Sequence, residues 1–297
     1  MKMHEDELDI DAGLVSRLVA AQFPELAALP VRHVRSTGTV NAIFRLGDDL
    51  YARLPRARTW AGDLDHEARW LPELAPRLTL PVPEVVGHGE PDAGYPLRWA
   101  IYRWIDGEPY ADELVADELA AARELARFVA ELRRVEVPDG APRGGRRPLS
   151  ELDAGTRATL EASRGTIDAD AALAVWELAL QGPPWSGTPV WIHTDLLRPN
   201  VLVRNGAVCA VIDFGGAGVG DPAADVIAAW SVFGPAGRDE FRRLLEVDDA
   251  TWHRARGYAL HQAAAIIPYY AVSNPGFVTL ARRTVEQVLL DVTRERR

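Results

Sequence analysis

Lysine and cysteine are almost absent from this sequence. Lys2 is the only lysine among 297 residues, so nearly all of the fixed positive charge is arginine. The single cysteine, Cys209, excludes an internal disulfide and is typical of a protein from a reducing compartment. Long apolar runs are also missing, because no stretch approaches the roughly 18 consecutive apolar residues of a membrane span. We therefore expect a chain that makes no internal disulfide and does not span a membrane.

Negative charge outnumbers positive charge, and the formal net charge is −10 at pH 7. A broad nucleic-acid-binding surface needs clustered Lys and Arg, so this balance argues against a nucleic-acid partner. The basic loop Arg143–Arg147 has no aromatic residues between its charges, and we expect it to be solvated. The acidic stretch Met1–Glu7 has no apolar signal core, which predicts a cytoplasmic location. An acidic chain suits a cationic substrate, but it suits simple solubility equally well.

The first third of the chain is patterned as strands with two helices. Apolar residues at helical spacing predict a helix over Asp11–Gln22. A second helix is expected over Asp63–Leu74, and Pro72 should end or kink it early. Apolar segments separated by turn residues predict an antiparallel meander. Its expected strands are Val31–Arg35, Asn41–Leu46, Leu50–Leu54, Val85–His88 and Trp99–Trp104.

The pattern changes at the turn Asp106–Pro109, which has no apolar periodicity. Beyond it the apolar residues are spaced as in helices, with a hairpin signal at Asn205-Gly206. We expect an α+β protein of two lobes. The N-lobe, residues 1–105, would carry an antiparallel sheet, and the C-lobe, residues 106–297, would be mostly helical.

The most informative segment runs from His193 to Asn200 and continues to the motif from Asp213 to Gly215. Asp195 lies on a loop, Asn200 leads directly into a strand, and the hairpin returns the chain so that Asp213 is placed beside Asn200. A carboxylate and an amide oxygen that converge in this way suit Mg²⁺ on substrate phosphates, while Asp195 is free to accept a hydroxyl proton. Taken singly, each of these residues is more often a turn or capping residue. Together, and in this order, they predict phosphoryl transfer.

With these motifs the chain resembles the aminoglycoside phosphotransferase family, which also contains macrolide phosphotransferases and relatives of choline and homoserine kinases. That family is similar in fold to protein kinases, so the resemblance implies a protein-kinase-like fold over most of the chain. It also implies that Asp195 is the catalytic base and that Asn200 and Asp213 hold magnesium. The residues that would brace the loop and cap the next helix are His193, Asp221 and Asp225.

The nucleotide side departs from the usual kinase pattern, because no lysine is available for the third strand. Arg53 occupies that position, and Glu67 on the second helix is its expected partner. An arginine binds phosphate through a planar fork and needs more room than a lysine. The alternative is that Arg53 is an ordinary surface arginine of the strand. The other expected nucleotide contacts are the hydroxyls of Thr37 and Thr39, the carbonyl of Arg103 and the amide of Ile105.

The motifs and the resemblance predict a Mg²⁺-dependent O-phosphotransferase that moves the γ-phosphate of ATP or GTP to a hydroxyl of a small molecule. An antibiotic of the aminoglycoside or macrolide type is one acceptor class to expect, and a metabolic alcohol is another. Because Arg53 replaces the lysine, a nucleotide-binding regulator without activity is the alternative functional class.

The acceptor is expected to bind among the C-lobe helices beyond Pro222. Aromatic residues of that region suit a macrolide-like or nucleoside-like acceptor, and its acids suit a polycation, but either set could equally be core or solvated surface. The aromatic set is Trp230, Phe233, Trp252, Tyr258 and Tyr269, and the acidic set is Asp239, Glu240, Asp248 and Asp249.

Overall fold

The N-terminal part of the protein is a twisted antiparallel sheet with two helices. The computed structural model describes residues 7–34, 38, 40–92 and 94–295. The first elements are α1 (Ala12–Gln22), β1 (Val31–His33), β2 (Asn41–Leu46), β3 (Leu50–Pro55), α2 (Ala61–Leu74), β4 (Val85–Gly89) and β5 (Trp99–Arg103). The strands pair in the order β1-β2-β3-β5-β4, so β3 is the central strand.

The position of Arg53 follows from this pairing. Gly47 turns the chain between β2 and β3 with a φ of 59°. The resulting register places Arg53 between Ile43 of β2 and Ala100 of β5. The Arg53 residue is only 4% exposed, so the alternative of a surface strand arginine is wrong.

A local cap begins the first helix of this part, whereas tertiary packing determines where the second one ends. Asp11 caps α1 by accepting a hydrogen bond from the backbone of Leu14 at 2.7 Å. The expected early end of α2 at Pro72 is wrong, because the helix continues to Leu74. Pro72 removes one backbone donor, but burial of Leu71 and Leu74 in the core of the C-lobe offsets that loss.

The C-terminal part is mostly helical. Its elements are β6 (Glu108–Pro109), α3 (Glu118–Arg134), α4 (Leu149–Ala162), α5 (Ala169–Leu180), β7 (Val190–Ile192), β8 (Val201–Arg204), β9 (Ala207–Val211), β10 (Gly218–Gly220), α6 (Ala223–Val226), α7 (Ala228–Ser231), α8 (Pro235–Leu244), α9 (Asp249–Tyr269) and α10 (Pro275–Glu295). The expected hairpin joins β8 to β9, and both of its turn residues, Asn205 and Gly206, have positive φ angles. A second small sheet pairs β7 with β10.

Two apolar cores stabilise the molecule. The smaller one packs α1 against the five-stranded sheet, and the larger one surrounds α3, α9 and α10. Residues 104–107 connect the two parts without helix or strand. The lobe boundary expected between residues 105 and 106 stays a prediction. In the described part of the chain, no helix combines the length and apolar character that crossing a bilayer would require.

Candidate active site

Asp195 is held by two side-chain amides. Asn200 donates from Nδ2 to the carboxylate Oδ2 at 2.8 Å, and Gln262 donates from Nε2 to Oδ1 at 2.6 Å. Each carboxylate oxygen therefore has a fixed direction, and its remaining lone pairs are available to a bound molecule. Gln262 lies on α9, 67 residues beyond Asp195, and no local sequence pattern pointed to it.

Hydrogen bonds made by Asp225 and His193 hold the loop that carries Asp195. The buried carboxylate of Asp225 accepts from the backbone nitrogens of His193 at 2.9 Å and Thr194 at 2.8 Å. The His193 ring bonds through Nε2 to the carbonyl of Ile212 at 3.1 Å. Thr194 has a φ of 76°, which is strained for a β-branched residue and is maintained by these contacts.

Asp221 has a separate role in the same region. Its carboxylate accepts from the backbone nitrogen of Ala223 at 2.9 Å, at the start of α6. It also forms a buried ion pair with Arg254 of α9, with Nε 2.9 Å from Oδ2. Asp221 thus caps a helix and links it to α9, whereas Asp225 supports the loop.

The hairpin brings Asn200 and Asp213 to the same edge. The backbone nitrogen of Ile212 donates to the carbonyl of Asn200 at 2.9 Å, and Asp213 follows two residues beyond the end of β9. Asp213 has a φ of 69°, an unusual conformation for a residue other than glycine. Asn200 and Asp213 line one cavity.

Arg53 is the centre of a buried polar cluster, the Arg53 network. Its Nη1 lies 2.8 and 2.7 Å from the two carboxylate oxygens of Glu67, and its Nη2 lies 2.7 Å from Oδ1 of Asp213. The hydroxyl of Tyr102 also donates to Glu67, at 2.7 Å. The carboxamide of Asn41, oriented with its oxygen toward Arg53, accepts from Nε and Nη2 at 2.9 Å each. The expected Arg53–Glu67 partnership is therefore present, and it extends across the cleft to Asp213.

Burial and charge shift the pKa values of the site. Burial alone would lower the pKa of Arg53, but the carboxylates of Glu67 and Asp213 raise it well above its ordinary value. Burial raises the pKa of Asp195, and the charge of Asp213 raises it further. Burial also raises the pKa of Asp63 to about 6, with added repulsion from Asp213 and Glu67. Asp195 and Asp63 thus bind protons more tightly than exposed carboxylates do.

A cavity of about 340 Å³, the hinge cavity, lies between the lobes on one side of Asp213. Apolar and aromatic side chains of Tyr51, Trp104 and Ile105 line it. An apolar and aromatic lining next to a connector suits a purine ring. The exposed Arg103 side chain instead pairs with Glu84, with Nε 3.0 Å from the carboxylate. The proposed contacts of Thr37 and Thr39 lie outside the described residues.

A second cavity of about 300 Å³, the Asp195 cavity, lies on the other side of Asp213. Its lining includes Asp63, Arg146, Asp195, Asp213 and Gln262. Two cavities thus meet at Asp213, and Asp195 belongs to the second one.

The donor set fits a hard divalent cation. In the described contacts, Oδ1 of Asn200 and Oδ2 of Asp213 accept no hydrogen bond, and both side chains line the hinge cavity. Two hard oxygens match the way Mg²⁺ is held by few protein ligands together with phosphates and water. Residues 7–34, 38, 40–92 and 94–295 contain no group of three His, Cys, Asp or Glu that could hold a metal by itself.

The fold, the braced aspartate loop and the Asn200–Asp213 pair agree with the sequence prediction of a phosphotransferase with a protein-kinase-like fold. The model of the APH phosphotransferase enzyme family matches residues 33–258. The chain belongs to this family, as its motifs suggested.

Solved structures share its fold. The GDP complex of aminoglycoside 2′-phosphotransferase-IIIa is 17% identical, with a TM-score of 0.70, and the match covers 95% of this chain and 100% of that one. Macrolide 2′-phosphotransferase MphH from Brachybacterium faecium is 22% identical, with a TM-score of 0.60 over 94% of this chain and 97% of that one. These likenesses confirm the expected α+β, protein-kinase-like fold.

A curated relative is matched over part of its length. The uncharacterised protein YcbJ of Bacillus subtilis (strain 168) is 28% identical over 188 residues, which is 59% of this chain. The match spans 56% of YcbJ.

Sequence reasoning missed several residues of the site. The expectation of a solvated loop over Arg143–Arg147 is wrong for Arg146, which lines the Asp195 cavity and has a buried Nε. Of its neighbours, Arg143 and Arg147 are exposed. The one available signal was a pair of glycines before Arg146, which permits a close backbone approach. The other missed residues are Asn41, Asp63, Tyr102 and Gln262.

Proposed function

We propose that the protein is an O-phosphotransferase that moves the γ-phosphate of ATP or GTP to a hydroxyl of a small molecule. The observation that carries the proposal is the meeting of two cavities at Asp213, with Asp195 oriented on one side and the Asn200–Asp213 oxygens on the other. Phosphoryl transfer needs this division, because the nucleotide and the acceptor approach the transferred group from opposite sides. Relatives in fold were solved with GDP, ADP and ATP, which supports a nucleotide co-substrate.

In this proposal the oxygen of the acceptor hydroxyl forms a bond to the γ-phosphorus. Asp195 accepts the proton that this hydroxyl loses. The bond from that phosphorus to the bridging oxygen breaks, and the nucleoside diphosphate leaves. Asn200 and Gln262 keep the carboxylate aligned, and the Arg53 network steadies the phosphates. Asn200 and Asp213 would hold Mg²⁺, which supplies neutralisation of phosphate charge.

More than one class of acceptor is compatible with this proposal. Relatives in fold are aminoglycoside and macrolide phosphotransferases, so an antibiotic is one class to test and a metabolic alcohol is another. The alternative of an inactive nucleotide-binding protein has one observation in its favour, because Arg53 bonds directly to the proposed metal ligand Asp213.

A phosphate-transfer assay distinguishes an active phosphotransferase from an inactive nucleotide-binding protein. We expect the wild type to consume ATP or GTP in the presence of Mg²⁺ and a pool of hydroxylated acceptors, with an acceptor mass gain of one phosphoryl group. Asp195→Asn should lose about 10²–10⁴-fold of kcat, the range for removal of a general base. The matched variant Asp170→Asn, at an exposed residue of α5, should keep wild-type turnover. Nucleotide binding without turnover in the wild type would favour the inactive protein.

A further inference from the structure

Two buried polar atoms of the Asp195 cavity have no hydrogen-bond partner among the described residues. They are Nε of Arg146, a donor, and Oε1 of Gln262, an acceptor. Both side chains line the cavity beside Asp195. Leaving a buried polar group unpaired costs about 1–3 kcal/mol, so such groups at a binding cavity indicate what its ligand must supply. The ligand of this cavity should offer an acceptor to Arg146 and a donor to Gln262.

The backbone fixes the position of Arg146. Gly144 donates to the carbonyl of Val219 at 3.0 Å, and Val219 donates to the carbonyl of Pro142 at 2.8 Å. The approach to β10 is so close that a Cβ on Gly144 would lie 2.7 Å from Cα of Gly218. Gly145 follows with a φ of 84°, and Arg146 then reaches the cavity. The position of the Arg146 guanidinium is thus fixed by the backbone, unlike that of a mobile arginine on the surface.

Other charges facing Arg146 leave it without a dedicated partner. On α9, burial together with the charges of Arg146 and Arg147 lowers the pKa of His261 to about 4, so this ring is neutral at pH 7. Asp195 already accepts from two amides. Asp63 lies at the opposite end of the cavity, beside Gly215 and within the field of Arg53 and Asp213.

The helical wall of the cavity offers no carboxylate to a polycation. From residue 250 to residue 285 the sequence contains no Asp or Glu. The acids expected to bind a polycation are engaged elsewhere: Asp239, Glu240 and Asp249 pair with arginines, and Asp248 caps α9. The aromatic set does not line the cavity either, since the four buried members are Trp230, Phe233, Trp252 and Tyr258, and Tyr269 is 61% exposed.

We propose that Arg146 and Gln262 form an acceptor subsite for a hydroxyl compound that carries an anionic oxygen group near its hydroxyl. This proposal rests on the proposed function, in which Asp195 receives the proton of that hydroxyl. The Arg146 guanidinium binds the anionic oxygens, and Oε1 of Gln262 accepts from a hydroxyl or ammonium of the same molecule. The charge of Arg146 repels a polycationic aminoglycoside at this subsite, although the cavity as a whole is also lined by Asp63, Asp195 and Asp213.

The test uses acceptors in matched sets. Each set shares one hydroxylated skeleton and carries a carboxylate, a phosphate ester, or a neutral methyl ester or amide; kanamycin is the polycation. We expect the wild-type kcat/KM to be at least about tenfold higher for an anionic member than for its neutral counterpart, because charge-assisted bonds are the stronger ones. The carboxylate and phosphate members distinguish the two sources of the anionic group. Kanamycin should not be phosphorylated.

Variants of the loop that contains Arg146 test whether this residue causes the preference for anionic acceptors. Arg146→Gln should raise KM for the anionic acceptor about tenfold or more, with the KM for nucleotide unchanged. Arg146→Lys, which keeps the charge and loses the fork, should lie between it and the wild type. Arg147→Gln, at the exposed neighbour, should change none of these values. Chemical unfolding in urea checks that each variant is folded.

Three results would overturn the subsite. They are equal use of anionic and neutral members, phosphorylation of kanamycin, and an Arg146→Gln loss of kcat/KM that is the same for every acceptor. A failure of the proposed function looks different, because no acceptor would then be phosphorylated. In that case calorimetric titration of the wild type with the anionic compounds decides, and absence of binding, or equal binding by Arg146→Gln, overturns the subsite.

Discussion

The two cavities that meet at Asp213 are built in opposite ways. On the hinge-cavity side, Arg53 donates to Glu67, Asp213 and Asn41, so its guanidinium is surrounded by acceptors. On the Asp195-cavity side, Arg146 donates to no described residue and its Nε is buried without a partner. Each of these arginines lines a cavity that Asp213 also lines, but only Arg53 has hydrogen-bond partners within the described part of the chain.

The difference between Arg53 and Arg146 distinguishes a residue that stabilises the fold from a residue that binds a ligand. A buried charge with bonded partners contributes to the fold, and removing a partner leaves it uncompensated. A polar group left unpaired is matched when a ligand binds, so changing it alters binding more than folding. Variants on the hinge-cavity side should therefore unfold more easily, and variants on the Asp195-cavity side should mainly change turnover.

The largest effect on stability is expected for Glu67→Gln. The change removes the carboxylate that receives two bonds from Arg53 and leaves a buried cation with weaker compensation, which should cost about 3–5 kcal/mol in the free energy of unfolding. Urea denaturation measures it. The control is Glu73→Gln in the same helix, whose partner Arg69 is exposed. Equal losses in the two variants would contradict the distinction between the sides.

Arg53→Lys should have a smaller effect. The charge is kept, but an ammonium cannot serve Glu67, Asp213 and Asn41 in the same planar arrangement. We expect the free energy of unfolding to fall by about 1–3 kcal/mol, the cost of leaving buried acceptors unsatisfied. The control is Arg56→Lys at the end of β3, where one backbone contact is at stake. An unchanged midpoint in urea for Arg53→Lys would show that the fork geometry does not matter.

A pH-dependent effect is expected for His261. The pKa of His261 is about 4 in the folded protein and about 6.5 in the unfolded chain. The contribution of His261 to the free energy of unfolding is therefore fully present above pH 6.5 and is lost as the pH falls toward 4. The loss should be about 1–2 kcal/mol after allowance for solvent screening of the half-buried ring. His261→Gln should flatten this part of the stability profile. A stability difference between the wild type and His261→Gln that stays constant between pH 6.5 and 4 would contradict the assignment.

The smallest effect on stability is expected for Gln262→Leu. It removes one donor to Asp195 and also the unpaired Oε1, so the free energy of unfolding should change by less than about 1 kcal/mol. Turnover should respond more, because loss of the donor raises the pKa of Asp195 further and moves the acid limb of kcat to higher pH. A pH profile identical to that of the wild type would remove Gln262 from any positioning role.

Local spacing was enough to predict one half of the site. Asn200 and Asp213 are brought together by a hairpin of fixed length, and the turn pair Asn205-Gly206 specifies that hairpin. The pairing of Arg53 with Glu67 follows from a strand and the next helix. These contacts depend on short segments, where residue spacing limits the possible geometry.

The other half depends on contacts that spacing does not encode. Gln262 reaches Asp195 from a helix 67 residues away, through the packing of α9 against the rest of the C-lobe. Arg146 depends on the approach of Gly144 to Gly218, which needs the β7–β10 pair to be in place. The continuation of α2 through Pro72 depends on burial of its last turn. In each case tertiary packing determines the position of the residue.

Arg53 also determines how the protein will respond to chemical labelling. A reagent that transfers an acyl group to an amine needs a lysine side chain, and here the third-strand position holds a guanidinium whose pKa is raised. Lys2 is the only side-chain amine in the sequence. Activity-based profiling with such reagents would leave the nucleotide site unmarked, and reversible acetylation has no side chain there on which to act.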